Sequence, residues 1–225
     1  MITLTDVRKT YARHAVLRGV TARFAPGGVY GVVGENGAGK TTLFRCLADL
    51  VPYEGAITKP AGFNHAFGFL QTHNVFLPYL TGREYLRLLV SARRLPAPDF
   101  DARNVFDLPL DEYATGYSTG MQKKLALLGV LLQGNDYFIL DEPFNGVDIQ
   151  SNVVITEIIR ELRRLGKTVL ISSHIYSTLT AVCDEIYLLR EGRFVRRAGP
   201  AEFADLEADM TQATLGDRIA RLGLR

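Results

Sequence analysis

The sequence predicts an α/β fold with a mostly parallel sheet, an antiparallel β part at the N-terminus and a helical lobe set into the core. Three observations predict it. Short, nearly continuous apolar runs alternate with amphipathic helical stretches, the pattern of strands buried on both faces with helices packed over them. Residues 2–33 read as strands with no helix between them. From about 73 to 134 the texture changes to two helical stretches, with Pro96, Pro98 and Pro109 breaking the ground between them. The core then comprises about 1–72 and 135–225, the lobe about 73–134, and the whole of 1–225 one domain.

Composition agrees with this class. The chain has 225 residues and 47% hydrophobic content, enough to bury a sizeable core. Charged residues at 22% exclude a disordered or fibrous chain. Lys and Arg number 26 against 24 Asp and Glu, a formal net charge of +2 with no run of like charges, so no nucleic-acid partner is expected. Cys46 and Cys183 have apolar neighbours and form no CxxC, which predicts two reduced core thiols in a cytosolic chain. No apolar stretch follows a basic start, so no secretory signal is expected. The apolar stretch Leu125–Leu132 is far shorter than the roughly 20 residues of a spanning helix. If the protein acts at a membrane, another chain supplies the spanning part.

In chain order, Ile2, Leu4 and Asp6-Val7 start a short alternating strand, and Val16–Phe24 is a second. Pro26-Gly27-Gly28 is a turn, and Val29–Val33 is an apolar run suited to a doubly buried strand. A Gly-rich loop leads into a helix over Thr41–Leu50, with Leu43, Phe44 and Leu47 on one side. Leu80–Leu95 and Gln122–Leu132 read as the helices of the lobe, and Tyr137–Leu140 as a buried strand. Ile155, Ile158, Ile159, Leu162 and Leu165 mark one face of a helix stopped by Gly166. Thr168–Ser172 is a strand, and Ile186–Leu189, Glu191-Gly192 and Phe194-Val195 form a hairpin. The last 25 or so residues read as weakly helical.

Gly34-Glu35-Asn36-Gly37-Ala38-Gly39-Lys40-Thr41 matches G-x-x-x-x-G-K-[ST] between a buried strand and a helix. Glycines let the backbone wrap phosphates with its amide hydrogens pointing inward, and the following helix presents its positive end to the same anion. Lys40 reaches the β- and γ-phosphates, the Thr41 hydroxyl can ligate Mg²⁺, and Thr42 continues the phosphate-binding turn.

The strand Tyr137–Leu140 ends in Asp141-Glu142-Pro143. Asp141 at the strand tip can hold Mg²⁺. Glu142, one step further, can turn to the γ-phosphate and orient the attacking water as general base. Pro143 cannot extend the ladder, so the chain leaves the sheet there. His174 follows Thr168–Ser173 at a strand end on the same side, where it can donate to the γ-phosphate. Ligands of such sheets bind beyond the carboxyl ends of the strands, where these motifs lie.

Along nearly its whole length the chain resembles the ATP-binding subunits of ABC transporters, with their P-loop NTPase core. Tyr117-Ser118-Thr119-Gly120-Met121 stands where that family has its LSGGQ signature, and Gln122, Lys123, Lys124 and Leu125 continue into a helix. The resemblance implies that Ser118 and Gly120 reach across a dimer to the γ-phosphate held by the other subunit, and that Asp148 in Asn145-Gly146-Val147-Asp148 meets the partner's phosphate loop. It implies that Tyr11 stacks on adenine. The signature departs from the consensus at Tyr117, Thr119 and Met121, in the YSxGM form common among exporter subunits. At the Q-loop, Phe67-Gly68-Phe69-Leu70 leads directly to Gln71, while counting back from Pro78-Tyr79-Leu80-Thr81 puts Thr72 at the glutamine position. Either Gln71 takes the metal role one residue early or the Thr72 hydroxyl stands in.

The resemblance further implies ATP and Mg²⁺ as cofactors, a second, identical ATPase subunit, integral membrane permease subunits docked near residues 72–109, and a cytoplasmic place on the inner face of the membrane. The alternative is a soluble ABC ATPase such as an iron–sulfur assembly subunit, also a short single domain. No long coiled coil of the DNA-repair type is present, and there is one phosphate loop rather than the two usual in ribosome factors.

Overall fold

Two sheets organise the chain in the computed structural model, which describes residues 1–215. The smaller is antiparallel, in the order β2 (His14–Phe24), β1 (Ile2–Tyr11), β4 (Glu54–Thr58). The larger runs β5 (Phe67–Leu70), β6 (Tyr137–Asp141), β7 (Thr168–Ser173), β3 (Val29–Val33), β8 (Glu185–Arg190), β9 (Arg193–Ala198). It is parallel from β5 through β8, and β9 closes it antiparallel. The helices are α1 (Lys40–Leu47), α2 (Phe63–Ala66), α3 (Gly82–Ala92), α4 (Thr119–Leu131), α5 (Ile149–Arg164), α6 (Tyr176–Thr180) and α7 (Phe203–Leu215).

The period of two along the buried strands divides the core. Val29 and Val33 of β3, Phe138 and Leu140 of β6, and Val169 and Ile171 of β7 face one cluster with Leu125 and Leu128 of α4, Ile155 and Ile159 of α5 and Leu179 of α6. The residues between them, Tyr30 and Val32, Ile139, and Leu170, face Leu4, Val20 and Phe24 of the small sheet and Leu43, Phe44 and Leu47 of α1. Both faces are covered, which is why these strands read as continuous apolar runs rather than alternating ones.

The register aligns the carboxyl ends. Leu70 pairs with Leu140, Asp141 with Ser172, and Val33 with Ser173. The phosphate loop, residues 71–72, Asp141-Glu142 and His174 therefore leave the same edge of the sheet.

The α/β class, the parallel core and the antiparallel N-terminal part agree with the sequence reading, and several boundaries move. The first strand extends to Tyr11, because a bulge with Asp6 at φ +50 resets the register after Leu4. The first helix stops at Leu47, with Asp49 at φ +55. The helix expected over Leu80–Leu95 begins at Gly82, after Thr81 and Glu84 close a reciprocal capping box. Gln122–Leu132 begins three residues earlier, at Thr119, where Ser118 caps it. β4, α2 and α6 carry no amphipathic signal: β4 is a largely exposed edge strand, and the two helices have four and five residues. Glu191 and Gly192 both take positive φ in the β8–β9 turn, as a tight two-residue hairpin requires. Of the weakly helical C-terminus, α7 accounts for the part up to Leu215, and the rest lies outside the described residues.

Between β5 and β6 the chain forms α3, an irregular stretch and α4. Arg83 pins the irregular stretch with paired bonds to Asp101 (2.9 and 2.9 Å) and Asp111 (2.7 and 3.1 Å). Phe100, Phe106, Leu108 and Leu110 are buried beneath it. No described helix is long and apolar enough to cross a membrane.

Candidate phosphate and metal site

A cleft of 690 Å³ opens at the carboxyl edge, lined by Tyr11, Asn36, Gly37, Gly39, Lys40, Thr41, Thr42, Thr72, Glu142 and His174 among others. Gly34 and Ala38 line the adjoining space behind the loop. Gly39 precedes α1 at φ +109, open to glycine and strained for other residues, and offers no side-chain cap. The first-turn amides of α1 are left to a ligand, so the helix end is a ready anion site.

Lys40 already lies in this nest. Its ammonium donates to the Gly34 carbonyl at 2.8 Å and the Glu35 carbonyl at 3.3 Å, and stands 3.5 Å from Glu142 Oε1. Lys40 and Glu142 are both buried. In this state the two charges compensate each other.

Asp141, with no exposed surface, is the hub of the site. It accepts from the hydroxyls of Thr41 (2.7 Å), Thr72 (2.5 Å) and Ser172 (2.6 Å). A buried carboxylate needs such partners, and the three hydroxyls supply them. The Ser172 oxygen also accepts from the Glu142 amide at 3.0 Å, tying the two acids together. Glu142 sits at φ +52, a strained conformation for a non-glycine residue. Its Oε2 lies 2.8 Å from His174 Nδ1 and accepts from the His174 amide at 3.3 Å. The His174 ring is partly open to the cleft, and Glu142 is enclosed.

Thr72, rather than Gln71, enters the cleft. The Thr72 hydroxyl is 3.5 Å from that of Thr41, and both point at Asp141. Gln71 is exposed, and its backbone carbonyl faces Lys123. The sequence leaves Gln71 and Thr72 as alternatives for the metal role; of the two, the Thr72 hydroxyl reaches Asp141, whereas Gln71 is exposed. Among the described residues, no group of three or more His, Cys, Asp or Glu is placed to hold a metal alone. One carboxylate and two hydroxyls fit a hard cation whose remaining positions go to phosphate and water, as Mg²⁺ prefers.

Ser118, Gly120 and Asp148 are not among the residues lining the cleft. Ser118 accepts from the Met121 amide at 3.3 Å as the cap of α4. A Cβ on Gly120 would stand 2.6 Å from the Gly146 carbonyl, so glycine is required for α4 to approach the loop before α5. Asp148 caps α5, accepting from the Ser151 amide at 2.8 Å and pairing with Lys124 at 3.2 Å. The Ser151 amide and hydroxyl, followed by Lys124, hold its carboxyl well below the usual range. Asp148→Ala should therefore lower the thermal midpoint, and Asp148→Asn, which keeps an acceptor for the Ser151 amide, should recover part of the loss. Because a depressed pKa favours the folded form above the unfolded value of about 3.9, the deficit of Asp148→Asn should shrink as the pH of the melt falls below about 4.

Three residues of the site escape a reading from sequence. Ser172 is hidden in an apolar strand, Thr72 is one of two candidates, and Lys123 looks like a helix-surface lysine. Lys123 is in fact buried.

The sequence matches the family model described as ABC transporter over residues 17–145. It is 32% identical over 219 residues to the ABC transporter ATP-binding protein NatA of Bacillus subtilis, covering 88% of this chain and 89% of the relative. It is 30% identical to the Nod factor export ATP-binding protein I of Burkholderia orbicola, covering 92% of this chain and 73% of that one. Among solved structures, an ATP-binding subunit of an ABC transporter superposes with a TM-score of 0.78 at 25% identity, over 92% of this chain and 93% of the other. A dimeric ATP-binding cassette bound to ADP and phosphate gives a TM-score of 0.80 at 19% identity, over 89% and 99%.

Proposed function

Because the chain belongs to the ABC transporter family as an ATP-binding subunit with ATPase activity, we propose that two copies close on two Mg-ATP molecules and so drive separate membrane subunits. The single observation that carries this is the convergence of Lys40, Thr41, Asp141, Glu142 and His174 on one cleft. The loop Gly34–Thr42 and the N-terminal end of α1 hold the phosphates, and Tyr11 stacks on the base. Lys40 leaves its backbone carbonyls for the β- and γ-phosphates. Thr41, Asp141 and Thr72 would hold Mg²⁺, which would supply charge neutralisation at the phosphate oxygens. Glu142, freed from Lys40, takes the proton of the attacking water. His174 fixes the Glu142 carboxylate and donates toward the γ-phosphate.

Ser118 and Gly120 at the start of α4, and Asp148 at the start of α5, serve the partner copy's nucleotide, which accounts for their place outside this chain's own cleft. Residues 1–225 form one ATPase domain, with the stretch 73–134 as the lobe that meets the membrane partner. Support for that docking is the exposure of Val75 (89%), Leu77 (58%) and Tyr79 (81%) at the lobe's leading edge. The partners are integral membrane permease subunits on the cytoplasmic face, in an exporter-type assembly.

Co-purification of the tagged chain from cell membranes, followed by mass spectrometry, tests the proposal. Recovery of a multi-spanning membrane protein is expected. Recovery of soluble partners alone, with ATPase activity intact, would move the chain to the soluble ATPases of the family.

A further inference from the structure

We propose that Lys123 is a positioning residue that sets the Thr72 hydroxyl, and through it the metal affinity of the site. The inference rests on the assignment of Thr72 and Asp141 to Mg²⁺ above. Lys123 is the fifth residue of α4, yet only 4% of it is exposed. Its ammonium donates to two consecutive backbone carbonyls, Gln71 at 3.2 Å and Thr72 at 2.8 Å. Those carbonyls bracket the backbone unit that carries Thr72, whose hydroxyl reaches Asp141 at 2.5 Å.

A buried ammonium is costly unless it is bonded, so this contact is built rather than incidental. Burial pulls the Lys123 pKa below its usual value, while Asp141 and Glu142 act in the opposite direction. Threonine is shorter than the glutamine usual at this position of the family, so its hydroxyl meets the metal only if the loop backbone is held close. Lys123 supplies that hold. It also joins residues 71–72 to the helix that begins at Ser118, linking this chain's metal shell to the segment proposed to face the partner's nucleotide.

The test is Mn²⁺ affinity by electron paramagnetic resonance, on the full chain loaded with a non-hydrolysable ATP analogue. Nucleotide affinity in EDTA is read separately by fluorescence. Lys123→Met should weaken Mn²⁺ binding about tenfold, the low end for loss of a residue that orients a metal ligand, and leave metal-free nucleotide affinity within about twofold. Thr72→Ala should give a similar shift, and the double variant should shift no further than Thr72→Ala alone, since both changes act on one interaction. Lys123→Arg, which still offers donors to both carbonyls, should recover most of the loss, and it carries the test if Lys123→Met does not fold. Unchanged Mn²⁺ affinity in Lys123→Met, additive shifts in the double variant, or equal loss of metal-free nucleotide binding would overturn the proposal. Unchanged affinity in Thr72→Ala would overturn it too, and would also remove Thr72 from the metal shell.

Discussion

Glu142→Gln should bind ATP at least as tightly as the parent and hydrolyse it at least about 100-fold more slowly, the lower end of what a positioned general base contributes. The side chain is enclosed, so its surroundings rather than solvent fix its position. A glutamine has the same shape and keeps the backbone bond from the Glu142 amide to Ser172. Its carbonyl oxygen can still accept from His174. Basicity is what is lost. The change also removes the charge that stands 3.5 Å from Lys40, so Lys40 is freer to turn to a phosphate. A steady-state phosphate-release assay beside a nucleotide-binding titration separates the two effects. Turnover at the parent rate would remove Glu142 from the role of base.

Asp141→Asn should lower Mg²⁺-dependent turnover by about 100-fold or more, since a hard-cation site that loses its one carboxylate forfeits several kcal/mol of charge stabilisation. The fold should persist. The hydroxyls of Thr41, Thr72 and Ser172 now donate to Asp141, and a hydroxyl can rotate to accept from an amide nitrogen instead. Nucleotide binding in EDTA should therefore stay within about threefold of the parent, while the gain in affinity on adding Mg²⁺ disappears. The two titrations, with and without Mg²⁺, read this directly. A full Mg²⁺ gain in the variant would place the metal elsewhere.

The features legible in the sequence were those with a local physical signature. The strands β3, β6 and β7 announce themselves because both their faces are buried, and the Lys40 loop and the Asp141-Glu142 pair follow directly from such strands. The features that stayed hidden depend on register or on distant packing. Spacing alone left Gln71 and Thr72 as alternatives. What favours Thr72 is its hydroxyl bond to Asp141, a contact formed past the last β5–β6 pair, Leu70 with Leu140, where no strand pattern reaches. Ser172 is one of two serines ending β7, and only its pairing with Asp141 shows that it bridges the two acids. Lys123 reads as a solvated lysine beside Lys124. The fold buries the first, while the second pairs with the exposed carboxylate of Asp148. For Ser118 and Asp148 the resemblance implied an intersubunit role. Within one chain the capping bonds are made, and these are compatible with a second use of the same helix ends in a dimer.

In the proposed cycle ATP closes two copies on each other, with the α4 end of one against the phosphates of the other. Sedimentation of Glu142→Gln with Mg-ATP, with Mg-ADP and without nucleotide tests it most directly. A dimer is expected with Mg-ATP alone, and it should be lost when Ser118→Arg is added in a chain that still binds ATP. A chain saturated with Mg-ATP that sediments as a monomer would contradict it.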